Sequence, residues 1–143
     1  MGISRYTASA DNTIVNAYKP NLSKRATGSN AGAADVLEVF SIYGRISSAS
    51  QELSRVLVKF PTTGIAADRL ATSIPGSGSV SFYLKMYNAP HSKTVPVEYK
   101  LNVSALTEEW EEGTGLDLEN YADQTKGQIG SDWVQRKKGA NWF

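Results

Sequence analysis

SVSFYLKMY, residues 79–87, is the stretch on which the reading of this chain turns. Val80, Phe82, Leu84 and Met86 alternate with Ser81, Tyr83, Lys85 and Tyr87. A period of two sends successive side chains of an extended chain to opposite faces, so one set meets a core and the other meets water. Two further stretches obey the same rule. In LSRVLVKF, residues 53–60, Val56, Val58 and Phe60 alternate with Arg55, Leu57 and Lys59. In residues 93–103, Val95, Val97, Tyr99, Leu101 and Val103 alternate with Thr94, Pro96, Glu98, Lys100 and Asn102. Clean alternation of this kind belongs to antiparallel sheets with one covered and one wet face. The connection NAPHSK has hairpin length, so 79–87 and 93–103 are expected to pair. Pro96 lacks a donor, which places its strand at an edge or a bulge.

Working outward, residues 1–10 read as a flexible N-terminal arm, and NTIVNAYK, residues 12–19, as a short strand closed by Pro20. Residues 21–35 are Gly, Ser, Asn and Ala without periodicity, a loop of a length that marks contact or function more often than a simple turn. A second strand fits VLEVFSIYGR, residues 36–45. One or two helical turns fit 61–74 around IAADRLA, a segment too short to be stable without a sheet to lie on. After Leu106 the alternation stops. Residues 116–124 read as a short helix or a loop, and Trp133 and Val134 precede a turn at Gly139. Trp142 and Phe143 are expected to close the core, to touch a partner, or to mark an incomplete domain. The expected architecture is one domain over 1–143, all-β, an antiparallel β-sandwich of jelly-roll type with one or two short helical segments.

Composition bounds the function. A chain of 143 residues with 41% hydrophobic and 20% charged residues is long enough for one core. Fifteen basic against 14 acidic residues leave no surplus for a dedicated nucleic-acid face, so no direct nucleic-acid contact is expected. No segment approaches the roughly 20 apolar residues that span a bilayer, so no membrane partner is expected either. The absence of cysteine removes disulfides, thiolate metal sites and a cysteine nucleophile.

Candidate chemistry is sparse. Glu108, Glu109, Glu111, Glu112, Asp117, Glu119 and Asp123 crowd the 106–123 stretch, but nothing selects a pair at glycosidase separation or lifts one pKa. Their spacing is not that of an EF-hand, which leaves calcium binding by 106–123 an open alternative to a solvated acidic rim beside a buried Trp110. His91, the single histidine, lies in a turn with no second imidazole to share a metal. No serine stands in a nucleophile elbow, and GSGS at 76–79 lacks the lysine of a phosphate loop. The chain therefore offers no catalytic residue, no cofactor-binding residue and no metal ligand, and it reads as a non-enzyme. Two contact surfaces of opposite sign are expected instead, one centred on Glu109 to Glu112 and one on Arg136–Lys137–Lys138, as suits a subunit that docks on copies of itself. Tyr83 and Tyr87 share one phase of their strand. An exposed pair there serves a protein interface or a glycan platform, unless other chain covers it.

The order of features also carries a resemblance. TASADNTIVNAY, SRVLVKF, VSFYLKMYNA, VEYKLNVSALTEEWEEGTGLD and SDWVQRKKGANWF follow one another in a sequence that resembles the β-sandwich modules of virion structural proteins in tailed bacteriophages. It is also distantly similar to DNRLRE-type modules of secreted and surface proteins, with matches at Leu57 to Phe60, Phe82 to Tyr87, and Trp110, Glu112 and Gly113. The resemblance implies a structural role for Trp110. It further implies a virion location (capsid decoration, neck or tail) and assembly with other virion proteins. Carbohydrate binding or adhesion through Tyr83 and Tyr87 is the alternative it implies. The long 21–35 loop and the charged 136–138 segment depart from the surface-protein pattern.

Overall fold

The computed structural model describes residues 3–76, 78–92, 97–116 and 129–142. Among the described residues five strands and one helix are formed: β1 (Ala10–Val15), β2 (Ser41–Tyr43), β3 (Gln51–Lys59), α1 (Thr62–Leu70), β4 (Gln135–Lys137) and β5 (Ala140–Asn141). β3 is the centre of a three-stranded antiparallel sheet in the order β1–β3–β2, and β4 and β5 make a separate hairpin. The chain belongs to the all-β class, in small antiparallel sheets with one short helix.

The register sets what each face carries. Asn12 stands opposite Leu57 and Ile14 opposite Arg55, so these four share one face, and Thr13 and Val15 point to the other. Ile14 and Leu57 pack with Trp110, and Ala10, Trp133 and Trp142 close around them. On the opposite face Val15, Ala17 and Ala31 form a smaller cluster with Ala34 and Phe40. The alternation in 53–60 was real, and Arg55 and Lys59 of the polar phase are exposed, but Leu57 of the same phase is not. Leu57 is buried, whereas Val56, Val58 and Phe60 are only half-buried. Three tryptophans cover the Leu57 side, and their aromatic area outweighs the two valines that sequence hydropathy favoured.

The loop 21–35 is a second correction. Composition and length suggested a loop given to outside contact or function, yet Ala26, Ser29, Asn30 and Ala31 are among the most buried of the described residues. Small side chains are what let this backbone run against β1. The Ala31 N–H donates to the Thr13 carbonyl at 3.0 Å, and an isolated bridge joins Ile14 to Asn30. Asn30 in turn holds the 113–115 segment, its Oδ1 accepting the Gly115 N–H at 2.9 Å. A Cβ at Gly113 would land on the Asn30 amide, and one at Gly115 on the Asn30 carbonyl. Those two glycines exist for close approach.

Helix α1 begins after Pro61, whose φ of −72° suits the entry to a helix. It buries no residue. The sheet that it was expected to need is not what holds it. Tyr6 lies over Gly64, and its O–H donates to the Asp68 carboxylate at 2.6 Å. That bond holds the Tyr6 hydroxyl above its ordinary value of 10.0. The strand expected over 12–19 leaves the ladder at Asn16, and that over 36–45 shrinks to Ser41–Tyr43.

The largest difference concerns 79–87 and 93–103. Among the described residues neither stretch forms a ladder, and the hairpin expected between them is not made. Alternation specifies which side chains share a face, but a strand exists only where a neighbour supplies hydrogen bonds. Residues 93–96 and 117–128, which include Asp117, Glu119 and Asp123, lie outside the described residues. We expect Gly113→Ala to lower the free energy of unfolding by about 2 kcal/mol or more, since the methyl displaces a fully buried amide. Chemical denaturation reads this directly, and an unchanged midpoint would contradict the close packing at Asn30.

Candidate functional site

Three polar junctions tie distant parts of the chain together, and the first two are built from residues that sequence reasoning passed over. At the first, the buried Asn12 side chain donates to the Ser131 carbonyl at 2.9 Å and to Ser131 Oγ at 2.8 Å, while its Oδ1 accepts from the Ala31 N–H at 3.2 Å. Ser131 N–H donates to the Glu111 carbonyl at 2.8 Å and Trp133 N–H to the Thr27 carbonyl at 3.0 Å. Gly130, at φ +82°, lets this strand pass against the Glu112–Gly113 backbone. Segments around 12, 30, 112 and 131 thus meet at one seam.

Glu52 makes the second junction. Its side chain is 1% exposed. Oε2 accepts from the Tyr18 N–H at 2.8 Å and from Arg45 at 3.1 Å, and among the described residues Oε1 has no hydrogen-bond partner. A buried carboxylate with a free lone pair invites a catalytic reading. The geometry argues otherwise, because the group is closed in by β2, β3 and the Tyr18 turn. It holds the turn: Arg25 donates to the carbonyls of Asn16 and Gln51 and stacks 4.3 Å over the Tyr18 ring.

The third junction lies at the 106–112 stretch that raised the question of acid chemistry. Glu112 Oε1 accepts the Asp11 N–H at 2.8 Å, and Arg136 reaches Glu108 at 3.6 Å and the Glu109 carbonyl at 3.0 Å. Arg136 of the basic segment is thus tied to Glu108 and to the acidic backbone within the chain, while Glu109, Glu111, Lys137 and Lys138 are exposed. Among the described residues no group of three or more acidic or imidazole side chains gathers as a metal site would. His91 is exposed outside any regular element.

A shallow cleft of about 230 Å³ opens above this seam, with Ile14, Leu57, Trp133 and Trp142 as its floor and Arg55 and Glu108 at its rim. The Arg55 guanidinium stacks 4.2 Å over the Trp133 ring, and Trp142 Nε1 donates to the Asp132 carbonyl at 2.8 Å. Both tryptophans are thereby fixed in place as walls of the small core. Trp110 is buried in that core beside the acidic residues.

What the molecule presents outward is the alternating stretch. Ten large apolar or aromatic residues between Phe82 and Leu106 are exposed, drawn from both phases of the pattern. Tyr83 and Tyr87 are 88% and 80% exposed, the latter with Lys85 Nζ 5.0 Å from its ring centre. The two tyrosines are thus accessible, but no sheet lies behind them to make a flat platform. The chain exposes 10640 Å² in all. A compact monomer of 15.5 kDa exposes about 7,200 Å², so some 3,000 Å² lies open beyond the usual share.

No family model, curated protein or solved structure matches the chain. Its site must be read from its own chemistry.

Asp11 supplies a test of the acidic seam. Burial, and then the charge of Glu112, hold its carboxyl above the ordinary value of 3.8. A carboxyl raised on folding adds stability below its unfolded value and loses it as pH rises through the folded one. At neutral pH the Asp11 charge therefore opposes folding. Asp11→Asn should raise the thermal midpoint at pH 7 and leave it unchanged at pH 3, and a lower midpoint at pH 7 would show the carboxylate to be stabilising.

Proposed function

We propose that this chain is a non-enzymatic structural subunit of a bacteriophage virion, working by assembly with copies of itself and with other virion proteins. The observation that carries the reading is the exposed alternating stretch. Residues 79–87 and 97–103 have the sequence of half-buried strands and the surroundings of none. Burying a side chain such as Phe82, Leu84 or Met86 yields about 1.5–3 kcal/mol, so a surface carrying ten of them is driven to find cover. The open area has the size of an obligate interface, which removes about 2,000–5,000 Å² from water. A stretch outside any ladder also accepts a strand from outside, backbone bonds giving affinity and alternate side chains giving selectivity.

In this reading the jelly-roll sandwich is completed on assembly. β1, β3 and β2 supply one sheet, and 79–87 with 97–103 enter a second when a neighbouring subunit provides the ladder. The virion setting rests on the resemblance in the order of motifs; of the residues matched to the DNRLRE-type modules, Leu57 to Lys59 lie in β3 and Trp110 in the core, and Phe82 to Tyr87 belong to the exposed stretch. The carbohydrate alternative draws on the same exposed tyrosines. It asks for a rigid flat face, whereas Tyr83 and Tyr87 project from chain without ladder support.

Replacing Phe82, Leu84 and Met86 together by serine tests the proposal. Light scattering of the purified chain with its virion neighbours should show assembly lost, while the unfolding midpoint of the chain alone stays within experimental error. Retained assembly, or collapse of the isolated chain, would place those side chains in another role.

A further inference from the structure

The exposed stretch Val97–Glu98–Tyr99–Lys100–Leu101 has a symmetry in its charges that selects a partner. We infer that it pairs antiparallel with the same stretch of a second copy, about a two-fold axis through Tyr99. The inference rests on the assembling reading above and names one contact within it.

All five residues are exposed, Tyr99 at 64%, and none takes part in a ladder. In an antiparallel pair centred on Tyr99, Glu98 stands opposite Lys100 of the other copy, and Lys100 opposite its Glu98. Val97 stands opposite Leu101 on the other face, and the two Tyr99 rings meet at the axis. Directly opposed side chains in such a pair lie about 4.5–5.5 Å apart, close enough for both ion pairs and the ring contact. A two-fold contact must be self-complementary, and this register is.

Competing registers are disfavoured by the same charges. Centring the pair on Glu98 sets two carboxylates against each other, and centring it on Lys100 sets two ammonium groups together. Parallel pairing in register does both. A shift by one residue also moves the apolar set to the wrong face. Charge thus fixes the register, and the apolar face of Val97, Tyr99 and Leu101 supplies the adhesion. The open area of the chain, some 3,000 Å² above that of a compact monomer, leaves room for a lasting contact of this kind.

Charge reversal tests the register, using sedimentation equilibrium of the full chain over a wide concentration range. The unaltered chain should form dimers. Glu98→Lys alone and Lys100→Glu alone should each weaken self-association on the order of tenfold, because each turns two attractions into two repulsions. Mixing the two variants should restore association, since every opposed pair is then again unlike in sign. Far-UV circular dichroism of each variant should be unchanged, as both positions face solvent. A monomeric parent chain, self-association indifferent to the reversals, or a mixture no stronger than its components would each overturn the inference. A parent chain that stays monomeric yet binds other virion proteins would overturn this contact alone and leave the assembling reading standing.

Discussion

Strand β1 is covered on both faces and along its outer edge, and this burial holds the described structure together. Its residues Asn12 to Val15 touch the tryptophan cluster on one side and the Phe40 cluster on the other. Its outer edge is closed by the 26–31 loop and by Glu112. β3 completes the arrangement through a six-residue register with β1 and a shorter one with β2. A strand in that position cannot leave any polar group unpaired without a cost of about 1–3 kcal/mol for each. The Asn12, Asn30 and Ser131 bonds are therefore as much a condition of the fold as the apolar contacts. Around this well-filled centre the rest of the chain is thinly covered.

How much of this was legible in the residues depends on the source of the signal. Alternation identified β3 nearly to its ends, and IAADRLA located α1, because both are local patterns. The all-β class followed from the same patterns. The burial of Leu57 was misread, since both sets contain branched aliphatic residues and the decision fell to tryptophans 50 to 90 positions away. TGSNAG within the 21–35 loop looks like a linker by composition. Its burial depends on Gly113 and Gly115, whose role is visible only once the two segments are in contact.

The functional signals divide in the same way. Trp110 was legible as a core residue beside acids, and two of those acids are held, Glu108 by Arg136 and Glu112 by the Asp11 amide. Glu52 was not singled out, although it is the most enclosed charge among the described residues. A lone Glu in QELSRV resembles any strand-entry glutamate, and nothing local tells that Arg45 and the Tyr18 turn will fold over it. The stretch from 79 to 103 gave the clearest pattern of all and the largest departure. Its sequence states which side chains belong together, and the partner strand that would use them lies beyond any local pattern.

A chain with a small, completely buried centre and a long uncovered strand-like segment is suited to joining something larger. Hydrogen exchange of the backbone amides in 80–87 and 97–103, compared between the isolated chain and the assembled particle, tests that claim most directly. The account predicts fast exchange in isolation and strong protection after assembly, with β1 protected in both. Fast exchange in the assembled state as well would mean that these residues stay uncovered, and the account would fail.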